Sequence, residues 1–274
     1  MNKYLKNYLD SFKLKKIFWQ TFLLDITSLS LIILIWMTLG NILTNRAYVI
    51  SGGKTVEQLK IIMASGSLEG NQLLLSNIQS FVYFMIFGTI AALIITVMLY
   101  SLSRMLVWEK VIKNNFSWKN FKLWNGLTLV LCLLAIVYFL IFAAIKLILN
   151  FFTILLGETL FITFAKIIDN FFFIVFIIFM YALYLSFSES HKVWQSVGQA
   201  FHLIKAEWSR LWKMFILAVL TIVIVTLLLY FLQRFLIYQP GWILPAITII
   251  VIIFMLAWMR LYLLRMISHG TKKV

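Results

Sequence analysis

Six stretches of almost uninterrupted hydrocarbon side chains dominate this chain: about Phe22 to Leu43, Ile78 to Leu102, Leu123 to Leu149, Ile167 to Phe187, Met214 to Leu232 and Trp242 to Leu264. Each approaches the ~20 apolar residues that a helix needs to cross a ~30 Å hydrocarbon layer. No water is present in that layer to satisfy peptide groups, so a span must close its own hydrogen bonds, which a helix does within one segment. The expected fold class is an all-α integral membrane protein, with six transmembrane helices as three hairpins and amphipathic interfacial helices between them. Composition agrees, since 63% of the residues are hydrophobic and 12% charged, against roughly half and one quarter in soluble domains. Six spans consume most of the chain, so residues 1–274 are expected to form a single six-helix transmembrane domain.

The N-terminus places basic residues before an apolar run, as a signal peptide does. The run is too long and lacks a small-residue cleavage site, so it reads as a retained first span. Cys132 is the only cysteine, which rules out an intrachain disulfide and a cysteine-based metal cluster.

Basic residues are retained on the cytoplasmic side of membrane proteins. Of the 24 Lys and Arg residues, eighteen fall in four segments: the N-terminus, Arg104 to Lys122, Lys192 to Lys213, and the end from Arg260. Arg46, Lys54, Lys60, Lys146, Lys166 and Arg234 supply the remainder. Both termini are therefore expected in the cytoplasm. The net charge of +15 is divided among short segments that each adjoin a span. That distribution fits an anionic inner leaflet as partner and not a nucleic-acid groove. Trp19, Trp108, Trp118, Trp124, Trp194, Trp208, Trp212 and Trp258 fall on or near the same side, where tryptophan is enriched at headgroup depth.

Short similarities recur at the entrances to the odd-numbered spans: "KIFW" from Lys16, "KLWN" from Lys122 and "RLWK" from Arg210. Three hairpins, each preceded by an interfacial segment, would give this pattern, and so would convergence on interfacial composition. Between spans four and five lies "SVGQAFHLIKAEWSRLWKMF", Ser196 to Phe215. On a helix, Val197, Phe201, Ile204, Trp208, Leu211 and Phe215 form one apolar stripe, with Gln199, His202, Lys205, Ser209, Arg210 and Lys213 largely off it. Such a segment can lie among headgroups and then turn into the next span. Structural packing against the bundle and recognition of lipid or a protein partner at cytoplasmic loops both remain open. The expected contact residues are Trp19, Trp124, Phe201, Lys205, Trp208, Arg210, Trp212 and Lys213. On the opposite face, Gly52 and Gly53 mark a turn, Thr55 with Gln58 a capping box and Gly66 a stop, predicting a short outer helix.

The pattern of Ala200, Phe201, Leu203, Lys205, Trp208, Arg210 and Trp212 resembles the inner-loop pattern of loosely related six-helix prokaryotic families. These include the membrane domain of glycerophosphoryl diester phosphodiesterases. The resemblance is close over about twenty residues and implies a six-helix protein of a prokaryotic plasma membrane. The catalytic barrel that accompanies some members is absent from this chain, so no catalytic residue is carried over.

Acids, bases and metal ligands inside spans mark ion paths and catalytic centres, and the sequence places none near mid-depth. His191, His202 and His269 lack the spacing of a helical zinc pair, and neither GxxxxGK[ST] nor GxGxxG occurs. No cofactor, metal or catalytic residue is expected. Two functions stand: a non-enzymatic scaffold that organises lipid or a partner, and the membrane subunit of a transporter energised by a separate ATPase chain. A third, weaker one is an enzyme with a pocket built from Glu189, His191, His202 and Glu207. Depth also points to one ion pair. Asp25 lies ~5 Å inside the first span, and Arg260, eighteen residues beyond Trp242, lies ~27 Å along the last. The two fall in one layer and can pair, or Asp25 can meet another base such as Arg104.

Overall fold

A computed structural model describes residues 8–13, 16–54, 56–66, 68–112, 117–151, 158–235 and 241–271. Among the described residues the principal helices are, in order, α1 (Lys16–Ser51), α2 (Val56–Ser65), α3 (Leu68–Ile112), α4 (Trp118–Asn150), α5 (Glu158–Ser190), α6 (Val193–Ala206), α7 (Trp208–Phe235) and α8 (Ile243–Thr271). No strand occurs among the described residues. Six of these helices, α1, α3, α4, α5, α7 and α8, are long and apolar enough to cross a membrane. The chain is an all-α, multi-pass membrane protein. The short helix expected between the first two spans is α2, although Thr55 of its capping box lies outside the described residues.

The helices outrun the apolar runs that announced them. α1 continues to Ser51, and α3 covers 45 residues, about 67 Å of helix against a ~30 Å core. Hydropathy marks only the portion that lipid touches, and beyond it a helix keeps its own hydrogen bonds until a breaker intervenes. For α1 the breaker is the pair Gly52 and Gly53, at φ 56° and 73°, a region that side chains with a Cβ avoid. Gly53 N–H donates back to the Tyr48 carbonyl.

The chain packs as two compact units. Thr27–Tyr100 is a hairpin made from the later part of α1, α2 and the earlier part of α3. Trp36 Nε1 donates to Thr96 Oγ1 at 3.0 Å, and Gly88 packs where an added Cβ would stand 3.0 Å from Leu39 Cδ1. Leu34, Met37, Phe87 and Ile94 face outward, as a lipid-bathed surface requires.

The other unit, Met1–Ile26 with Ser101–Val274, is centred on the last third of α5, where residues 181–188 are buried without interruption. A helix is buried on every side only when neighbours surround it. Trp108 of α3 and Trp124 of α4 stand 6.0 and 5.6 Å from the Tyr184 ring. Tyr181 O–H donates to the Leu256 carbonyl of α8 at 2.8 Å. The closest helix neighbour is α6, and the sequence explains why. Ala182, Ser186 and Ser190 recur every fourth residue on α5, as Ser196 and Ala200 do on α6, and small side chains let backbones approach. Ser190 Oγ and Ser196 Oγ share a hydrogen bond of 2.8 Å. The N-terminal residues 8–13 join the same unit: Trp258 Nε1 donates to Ser11 Oγ at 2.9 Å, and Phe12 stacks on Trp258 at 5.1 Å.

The reversal from α5 into α6 depends on His191, which holds φ 53° while its N–H donates to the Phe187 carbonyl at 2.8 Å. Left-handed backbone costs a residue with a Cβ roughly 1–2 kcal/mol, and a β-branched side chain tolerates it least. His191→Val should therefore lower the thermal midpoint in detergent relative to both the parent and His191→Gly. Equal midpoints for the Val and Gly variants would show that this backbone conformation is not under strain.

Candidate functional site: a buried ion cluster and an apolar groove

Asp25 is buried in α1, the last turns of α3 carry Arg104, and α8 carries Arg260. The carboxylate stands between the two guanidiniums: Oδ1 accepts Nη2 of Arg104, and Oδ2 lies 3.1 Å from Nη1 of Arg260. The partners that depth left as alternatives are engaged together. Side-chain exposure is 8% for Asp25, 11% for Arg104 and 1% for Arg260, so water screens little of this attraction. Phe18, Phe22 and Phe254 pack ring to ring beside the aspartate, with centroids 5.0 to 5.9 Å apart. Two cations against one anion leave the cluster with a net positive charge. Arg260 Nε and Nη2 have no hydrogen-bond partner among the described residues.

Removing the anion from such a cluster leaves two guanidiniums facing each other, and breaking a buried pair typically costs ~3–5 kcal/mol. Asp25→Asn should lower the thermal midpoint in detergent more than Arg104→Gln, because in the latter Arg260 still neutralises the carboxylate. The double variant Asp25→Asn with Arg260→Gln should recover part of the loss, and a coupling near zero in that cycle would remove the pair from the account.

The stripe expected between Val197 and Phe215 is bent, not continuous. α6 ends at Ala206, and α7 begins at Trp208. Between them Glu207 forms a turn, its side chain accepting Arg210 Nη1 at 2.7 Å. The buried face of α6 is not the stripe but the small residues Ser196 and Ala200, which press against α5. Phe201 of α6 and Trp208 and Trp212 of α7 are left uncovered, at 59%, 61% and 46% exposed, whereas Leu211 of the stripe is buried. Phe201, Ile204, Trp208, Leu211, Trp212 and Phe215 form one wall of a groove of about 370 Å³. Leu134, Val137, Tyr138 and Ile141 of α4 and Phe171, Val175, Phe176, Ile178 and Phe179 of α5 form the others.

Ring contacts hold the walls. Phe201 lies 5.0 Å from Phe179, Phe215 5.4 Å from Phe171, and Tyr138 5.2 Å from Phe176, centroid to centroid. The one hydroxyl on the lining, Tyr138 O–H, is directed to the Phe172 carbonyl at 2.8 Å. It therefore presents its ring to the groove. A surface of this kind offers dispersion contacts to hydrocarbon and almost nothing to a polar solute.

Trp124 corrects the sequence expectation of a headgroup contact. It is 1% exposed, with its ring 4.9 Å from Phe187, because α4 turns it onto the buried end of α5. Trp108 and Trp258 are enclosed likewise, whereas Trp19, Trp118, Trp194, Trp208 and Trp212 are exposed. An indole suits a headgroup layer and an aromatic core equally well, so composition alone does not separate the two. Lys205 and Lys213 are exposed, and Arg210 is held by Glu207. No family model, curated protein or solved structure matches this chain.

Proposed function

We propose that this is a non-enzymatic membrane protein that organises lipid through the corner between α6 and α7. In this reading both termini and that corner face the cytoplasm, as the distribution of basic residues favours, and the chain is of the kind that its corner sequence resembles. The groove is the observation that carries the reading. Its walls come from four helices, α4, α5, α6 and α7, and its lining is aromatic and aliphatic throughout. A chain of hydrocarbon fits it, and ligand pockets of this volume are common.

Two measurements test the proposal. Lys54→Cys in a Cys132→Ser background should be labelled in intact cells by a membrane-impermeant thiol reagent, and labelling only after lysis would reverse the orientation. In vesicles whose acyl chains carry bromine, tryptophan emission of the full chain should be quenched, and the quenched share should fall in the Trp208→Phe, Trp212→Phe double variant. An unchanged share would mean that hydrocarbon does not enter the groove.

A further inference from the structure

The hairpin Thr27–Tyr100 carries a recess of its own. It lies between α1 and α3, at the end that bears α2, and encloses about 320 Å³. Asn45 and Arg46 of α1 and Asn77 and Ser80 of α3 supply the polar lining, and Val49, Ile50 and Phe81 the rest. Asn45 and Val49, Arg46 and Ile50, and Asn77 and Phe81 are each four residues apart, so one face of each helix builds the recess. No acid lines it.

The guanidinium of Arg46 sits over the ring of Phe84, 3.9 Å from its centroid. Phe84 is four residues beyond Ser80, so the cation is held against the face of α3 that carries the recess. A phenyl ring attracts the charge but does not satisfy the N–H donors of a guanidinium. Among the described residues, neither an ion pair nor a side-chain hydrogen bond engages Arg46, Asn45, Asn77 or Ser80. An arginine at the end of a span reaches water by itself. That gives no reason for two amides and a hydroxyl, drawn from two helices, to share its recess.

Depth selects the occupant. Arg46 stands three residues, about 4.5 Å, beyond Leu43, where the first apolar run ends, and Asn77 directly precedes Ile78, where the second begins. Both helices leave hydrocarbon at this level, so the recess opens into a headgroup layer. The abundant anion of that layer is the lipid phosphodiester. Its two free oxygens match the forked donors of a guanidinium, and its one negative charge answers the one positive charge of the lining. We infer that the recess binds the headgroup phosphate of one glycerophospholipid, with Arg46 as the charged clamp and Asn45, Asn77 and Ser80 as further donors. Val49, Ile50 and Phe81 then meet the glycerol backbone. The inference depends neither on the groove between α6 and α7 nor on the direction in which the chain is inserted.

Photo-cross-linking of the full chain in phosphatidylcholine vesicles tests this. The probe is a trace of phosphatidylcholine with a diazirine on its headgroup, compared with a phosphate-free glycolipid that carries the same group. Adducts on residues 45–50 and 77–81, as a share of all adducts on the chain, should be about five-fold more frequent with the phospholipid, the factor that one basic residue contributes near a membrane surface. Arg46→Gln should bring the phospholipid down to the glycolipid level. Ser80→Glu should do the same while keeping Arg46, because it places a carboxylate in the recess, and it guards against a folding defect in the first variant. Arg234 of α7, an exposed arginine beside Tyr230, is the control for basic charge at large, and Arg234→Gln should leave the share unchanged. Equal shares for the two lipids in the parent chain would overturn the inference, as would a share that Arg46→Gln and Ser80→Glu both leave unmoved or that Arg234→Gln lowers equally. Phospholipid labelling that excess inorganic phosphate abolishes would overturn the lipid as occupant and assign the recess to a soluble anion.

Discussion

A carboxylate between two guanidiniums, all three nearly out of reach of water, joins the first, second and last spans within one unit. Asp25 accepts from Arg104 and faces Arg260, and neither contact is replaceable by solvent at such exposure. Burying three charges is expensive in itself, so the cluster is better regarded as a device for specificity than as a source of stability. Apolar helices in lipid slide and rotate past one another at small cost, because lipid tails and leucine side chains are equally apolar. Charges that meet at one depth on three helices restrict that freedom, since a shifted register separates the aspartate from its guanidinium partners. The aromatic packing of Trp108, Trp124, Tyr184 and Phe187 around the end of α5 then occurs between helices whose positions are already restricted.

The same unit shows how a helix chooses which face to bury. α6 has large apolar residues on one side and small ones on another, and it buries the small ones. Close approach of α6 to α5 requires Ser196 and Ala200 at the contact, with Ser196 hydrogen-bonded to Ser190. In water, exposing Phe201, Trp208 and Trp212 would cost more than this contact returns. Next to lipid that penalty vanishes, and the displaced aromatic row becomes the wall of a groove.

Much of the corner was legible in the sequence as chemistry but not as geometry. The period of three and four between Val197 and Phe215 predicts one helix with an apolar side, and the structure divides the segment between two, α6 and α7. The break at Glu207 has no strong local signal, because glutamate is an adequate helix former and the breaker is the packing of α6 on α5. The far walls of the groove left no mark at all. Tyr138, Phe171 and Phe176 sit in uniform apolar runs, where no period distinguishes a residue that faces a groove from one that faces lipid. Trp124 failed as an interface residue for a related reason: both candidate environments accept an indole.

Hydrophobic length by itself determined that this protein is helical and spans a membrane six times, because hydrocarbon tolerates only segments that close their own hydrogen bonds. Depth along a helix was equally readable, since rise per residue is constant, and it placed Asp25 and Arg260 in one layer. Which helices stand side by side was decided only in the tertiary structure. A sequence fixes the height and the face of each residue on its own helix, but lateral order depends on contacts between helices whose surfaces are chemically alike. Arg104 and Arg260 were both eligible for Asp25 by depth, and packing brought both to it.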